Sequence, residues 1–286
     1  MTPTDDEIRV RPVTLRDVPA ICAVHRGSDG PWVDPVECAI FANHRLLRPF
    51  HCCVAQRGPQ VVGHAEWIVD REPGVPAPRL YLGMLQVRGD SQRQGVGRRL
   101  VEYGAELALR TGCDRLRTVP EERALGFYAR CGFSAVDGAV SYRLRPCSHP
   151  APRGWYKGHT VPQRAVAELC MRLGWVQACS AHMWELCNRP AKVAGDSFTH
   201  PCLRREDGRA FVQLRFSDPS QALALAWSPG DTPLPELLAA ALHLGSAHSV
   251  LCLLLALPRR QAGGIPAEAE PAGEIQILER PLGGAR

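Results

Sequence analysis

Residues 80–111 read LYLGMLQVRGDSQRQGVGRRLVEYGAELALRT, and this stretch decides the fold. Leu80 to Val87 is a nearly continuous apolar run of strand length, part of an expected strand Arg79–Val87. A helix is expected over 98–111, with Leu100, Val101, Gly104, Leu107 and Ala108 along one stripe and Thr111-Gly112 ending it. Between strand and helix lies Gln92-Arg93-Gln94-Gly95-Val96-Gly97. A helix start presents N–H groups without intrahelical partners and a partial positive charge, so it favours an anion. Gly95 and Gly97 carry no Cβ to keep a ligand off the backbone, and Arg93, Arg98 and Arg99 add charge. The dinucleotide fingerprint G-x-G-x-x-G fails, because Leu100 stands at its last position, and no Gly-Lys-Ser/Thr follows. What remains is Q-x-x-G-x-G at Gln92, Gly95 and Gly97.

Upstream, residues 8–13 read as a strand and 14–27 as a helix with Thr14 and Asp17 at its start. A second helix is expected over Pro35–Leu47, then a hairpin of His51–Gln56 and Val61–Asp70 around Arg57-Gly58-Pro59-Gln60. Downstream come a strand Arg115–Val119, a helix Glu121–Cys131 ended by Gly132, and two short strands, Ser134–Val136 and Val140–Leu144.

In this order and spacing, LYLGMLQV, QRQGVG, RRLVEYGAELALRTG and ALGFYARCGF resemble the GNAT superfamily of acetyl-CoA-dependent N-acetyltransferases, over about residues 8–145. The resemblance implies an α+β fold, a mixed and mostly antiparallel sheet flanked by helices that splays between its fourth and fifth strands. Acetyl-CoA is then the co-substrate and no metal is needed. The pyrophosphate would meet Arg93, Gln94, Gly95, Val96, Gly97 and Arg98 beside Gln92, and the pantetheine arm would pair with Leu85, Gln86 and Val87. Tyr128, in Tyr-x-x-x-Gly-Phe, maps onto the family's acid, which protonates the departing thiolate. The family often has Asn where this chain has Glu121, which puts that contact in doubt. For the base, the third strand offers His64, Glu66 and Asp70, with Glu66 ranked first.

The break between domains is expected in the Pro/Gly-rich 148–162, leaving 1–147 as the cofactor-binding catalytic domain and 163–286 as a smaller α+β accessory domain. The latter reads as helix Gln163–Leu173, strands Met183–Cys187, Ala210–Phe216 and Ala222–Trp227, helix Leu234–Leu244, and strands Ser249–Leu257 and Glu274–Arg280. Its order repeats the back half of the first domain. A degenerate GNAT-like repeat is the preferred reading, with an unrelated accessory domain as the alternative. Its loop, Ser228 to Pro235, has an acid and three prolines and no Q-x-x-G-x-G, so it is not expected to hold CoA.

The composition is that of a folded chain: 286 residues, 45% hydrophobic and 22% charged. The net charge of +5, without basic blocks, disfavours a nucleic-acid surface. The longest apolar run, Ser249–Leu257, is far short of the ~20 residues of a membrane helix, and MTPTDDEIRV is no secretory signal, so the expected compartment is the cytoplasm. The twelve cysteines are scattered without C-x-x-C and read as reduced core residues. The intervals of Cys179, His182, Cys187, His200 and Cys202 fit no zinc pattern. The expected activity is acetyl transfer to a primary amine, on a small molecule or a peptide, by direct attack. The alternative is an acyl-CoA-binding pseudoenzyme or sensor. The acceptor and the oligomeric state are not legible.

Overall fold

The computed structural model describes residues 7–46, 50–188 and 200–283, and the end of the second expected helix, at Leu47, falls outside them. The chain forms two compact units. The first comprises 1–69, 77–134 and 279–286, and the second 70–76 and 135–278. The division falls near residue 134, before the expected break at 148–162, and residues 279–283 belong to the first unit. The expected linker holds a strand of the second unit, Trp155–Gly158.

In the first unit the elements are β1 (Ile8–Pro12), α1 (Val18–Arg26), α2 (Pro35–Leu46), β2 (Phe50–Arg57), β3 (Gln60–Asp70), β4 (Arg79–Val87), α3 (Val96–Arg110), β5 (Arg115–Thr118) and α4 (Leu125–Arg130). The strand order is β1-β2-β3-β4-β5. β1, β2 and β3 run antiparallel, β4 and β5 parallel. Gly58, at φ 53°, supplies the left-handed turn between β2 and β3. Alternation on β3 separates two layers. Trp67, with no exposed surface, packs so tightly on α3 that a Cβ at Gly104 would lie 2.1 Å from its ring. His64, of opposite parity, meets His25 of α1.

The second unit adds β6 (Ser134–Leu144), β7 (Trp155–Gly158), α5 (Gln163–Glu168), β8 (Cys170–Leu173), α6 (Ser180–Asn188), β9 (Cys202–Arg205), β10 (Phe211–Asp218), β11 (Gln221–Ser228), α7 (Leu234–Ala247), β12 (Cys252–Pro258) and β13 (Glu270–Pro281). Its strand order is β13-β6-β12-β11-β10-β9-β7, with β8 also on β11, and the last residues of β13, Glu279–Pro281, lie in the first unit. β11, α7 and β12 form a parallel strand–helix–strand like β4, α3 and β5. Its core is aliphatic, with Leu237, Leu238 and Ala241 of α7 against Val212, Leu214, Ala224 and Leu255.

Three expected elements of the second unit differ. The stretch 134–144 is one strand, because Gly138 is no turn: its missing Cβ lets the carbonyl of Ile275 approach to 2.6 Å of where that atom would stand. Residues 163–173 are a short helix and then β8, which leaves the helical pattern to pair with β11. Met183–Cys187 is helical, within α6, since a short apolar run carries no decisive period. All twelve cysteines are free thiols. Among the described residues no helix is long and apolar enough to cross a membrane.

Candidate active site

α3 begins at Val96, two residues before the expected start, and no side chain caps its first turn. The loop before it is held from behind. Gln92 Nε2 donates to the Val87 carbonyl at 3.1 Å, and Gln94 Nε2 donates to the Asp90 carbonyl at 2.7 Å. Gln94 Oε1 in turn accepts from Arg57. Arg93, at φ 60°, and Gly95, at φ 85°, are both left-handed. An alternation of this kind turns successive N–H groups towards one point and makes an anion nest. For a non-glycine residue such as Arg93 the left-handed conformation costs about 1 kcal/mol, the kind of local strain that clusters at functional sites. Gly95 therefore serves backbone conformation. Gly97 serves packing: a Cβ there would lie 3.1 Å from the Phe127 ring of α4 and 3.7 Å from Leu85.

The floor of the site is the parting of two strands. β4 and β5 pair only from Arg79↔Arg115 to Leu82↔Thr118. Beyond Leu82, β4 continues through Leu85, Gln86 and Val87, half-buried, with its pairing to β5 ended. The edge so released offers backbone N–H and C=O groups to an extended ligand. Thr118 Oγ1 donates to the Leu82 carbonyl at 3.2 Å at the fork, and the Tyr128 phenol lies beside Thr118. Tyr128 is buried, in edge contact with Phe127 and Phe133. Burial pushes its phenol up to about 12, and the neighbouring Thr118 offsets this only in part. Tyr128 thus keeps its proton at neutral pH. Glu121 lies outside this group, exposed and paired with Arg123 at 2.6 Å. The helix expected from Glu121 is a single 3-10 turn, Glu122–Ala124, followed by α4.

The structure therefore brings together Gln92 to Arg98, Leu85 to Val87 and Tyr128. Glu66 belongs to another cluster. It is wholly buried, and one of its oxygens, the Cys52 sulfur and a ring nitrogen of His64 lie within 4.8 Å of one another. Such donors suit a transition metal. The proton positions oppose it. The backbone N–H of Trp32 donates to His25 Nδ1 at 3.2 Å, so the neutral His25 carries its proton on Nε2 and gives it to His64 Nδ1 at 3.1 Å. His64 then holds its own proton on Nε2, and neither ring nitrogen offers a lone pair. Among the described residues, Cys179, His182, Cys187, His200 and Cys202 form no comparable grouping.

The second unit closes the corresponding place. β11 pairs with β12 only from Gln221 to Leu223, and β10 covers its other edge throughout. The edge left beyond Leu223 is taken by β8, with Ala226, Trp227 and Ser228 against Leu173, Met171 and Cys170. The loop that follows turns carbonyls, not amides, to its charged neighbour: Arg172 Nη1 donates to Pro229, Gly230 and Thr232 at 3.3, 2.9 and 3.0 Å. Neither β8 nor Arg172 was singled out by the sequence reading, and neither carries a local signal.

A family model described as the acetyltransferase (GNAT) family matches residues 22–133. No curated protein sequence matches the chain. Among solved structures, a tandem GNAT protein from the clavulanic acid biosynthesis pathway is 18% identical, with TM-score 0.54, covering 98% of this chain and 100% of that one. A GCN5-related N-acetyltransferase from Anabaena variabilis is 9% identical, with TM-score 0.69 and coverages of 96% and 73%. One from Kribbella flavida is 14% identical, with TM-score 0.63 and coverages of 96% and 71%. These likenesses bear on the fold, and they match the mixed, mostly antiparallel sheet flanked by helices described above.

Proposed function

Residues 22–133 are a domain of the acetyltransferase (GNAT) family, and on that premise we propose that the chain is an N-acetyltransferase that moves the acetyl group of acetyl-CoA to a primary amine. The pyrophosphate lies on the amides of Arg93 to Arg98, and the pantetheine arm continues along Leu85, Gln86 and Val87. The observation that carries this reading is the fork at Leu82 and Thr118, with the buried Tyr128 beside it. The free amine attacks the thioester carbonyl, a tetrahedral oxyanion forms, and its collapse breaks the C–S bond. Tyr128 gives its phenolic proton to the departing thiolate. The proton leaving the amine passes to a base through water; Glu66, the carboxylate ranked first for that role, is fully buried in the cluster with His64 and Cys52. Positioning of the two substrates supplies most of the rate.

The test is acetyl-CoA turnover over an amine panel by wild type and Tyr128→Phe, with CoA affinity measured alongside. A fall in kcat of at least about tenfold at unchanged affinity is expected. CoA binding without turnover on any amine would replace the enzyme by an acyl-CoA sensor.

A further inference from the structure

Beside the first turn of α3 the first unit has a cleft of about 250 Å³ that the amine-acetylating reading leaves unused. It is lined by Arg98, Val101 and Glu102 of α3, by Arg130, Cys131 and Gly132 at the end of α4, and by Arg280. Arg280 comes from the far end of the chain, and its stem lies across Gly132, 3.7 Å from where a Cβ there would stand. Glu102 is bonded to Arg98 at 3.0 Å, which leaves Arg130 and Arg280 as the excess positive charge of the cleft. The field reaches the cleft wall: burial raises the Cys131 thiol, while Arg280, Arg98 and Arg130 each draw it back.

CoA carries a second anion, the 3′-phosphate on the ribose next to its pyrophosphate. Arg98 belongs both to the loop assigned to the pyrophosphate and to the cleft, so the cleft adjoins the pyrophosphate position within reach of the ribose. Resting on the acetyl-CoA reading, we propose that Arg280, with Arg130 and Arg98, forms a subsite for the ribose 3′-phosphate, so that this chain selects CoA over its 3′-dephospho form. Guanidinium groups suit a phosphate through paired, charge-assisted hydrogen bonds. The C-terminal strand thereby completes the cofactor site of the first unit.

The experiment is calorimetric titration of the full chain with CoA and with 3′-dephospho-CoA, for wild type, Arg280→Ala and Arg130→Ala. Wild type should bind CoA about tenfold more tightly than dephospho-CoA, the effect of one charged hydrogen-bonding group. In Arg280→Ala the gap should close to within about twofold while the affinity for dephospho-CoA stays the same. Arg130→Ala is exposed and should narrow the gap in the same way without touching the β13 strand. Equal binding of the two ligands by wild type overturns the subsite and leaves the acetyltransferase reading standing, as does an equal loss for both ligands in Arg280→Ala and Arg130→Ala. Failure of wild type to bind either ligand overturns both.

Discussion

The Nε2 of His25 lies 3.1 Å from the Nδ1 of His64, and the backbone N–H of Trp32 on the other side of the His25 ring fixes which of the two donates. Both rings are wholly buried and close against Trp32. Burial holds His25 at about 4, below its usual 6.5. The unfolded chain therefore takes up a proton at this residue first. The stability that neutral His25 carries is complete above pH 6.5, is lost as the pH falls from 6.5 to 4, and changes no further below that. Asp17 acts in a separate window. Arg11 holds its carboxyl at about 2, so its share is lost only below 3.8. Denaturation by urea at pH 7 and pH 4.5 should show a lower midpoint at the lower pH, and His25→Gln should show a smaller difference. His51 and His248, both lowered by burial, leave a residual slope. An undiminished difference in the variant would remove His25 as its cause.

Glu279 ties the end of the chain to the first unit. Its Oε1 accepts from Arg117 Nε at 2.7 Å, and its Oε2 from Arg115 Nη1 at 3.3 Å. Arg117 and Glu279 are about one-tenth exposed. Removing one partner of such a pair leaves the other charge buried without it, at a cost of about 3–5 kcal/mol. Glu279→Ala should lower the denaturation midpoint of the first unit accordingly. A change under about 1 kcal/mol would mean that water replaces the carboxylate there.

The loop at 92–97 is legible because its determinants are local. A strand, a left-handed glycine and a helix start within twenty residues specify an anion site whatever surrounds them. Tyr128 is legible only through the motif around it, since its burial at the fork depends on β4 and β5 parting at Leu82. What sequence hides is pairing at long range. Gly138 looks like a turn residue beside Asp137, yet its role is set by the carbonyl of Ile275. β8 looks like the end of a helix until β11 offers it an edge. Arg280 has no signal at all, because the residues it joins are some 150 positions away.

Glu66 offers a sharper test than its position suggests. If it takes the proton of the amine, Glu66→Gln should lower kcat by about 10²-fold, the contribution of a general base, at unchanged CoA affinity. An unchanged kcat with a lower denaturation midpoint would make the carboxylate a structural member of the cluster around His64 and Cys52.

The two strand–helix–strand pieces lead to one binding site. In the first unit β4 leaves an open edge beyond Leu82, and in the second β8 already occupies the edge beyond Leu223. A pantetheine arm would have to displace β8 and break its pairing with β11. A pyrophosphate at the following loop would meet carbonyls drawn onto Arg172. Calorimetry should therefore give one CoA per chain, lost on the charge reversal Arg93→Glu/Arg98→Glu. Arg172→Ala should not create a second site. It leaves the buried Thr232 carbonyl without that donor, while Pro229 and Gly230 can turn to water, so the second unit should be destabilised by about 1–3 kcal/mol. Two CoA per chain in wild type would mean that β8 moves aside, and residual binding in the charge-reversed chain would place the cofactor in the second unit instead.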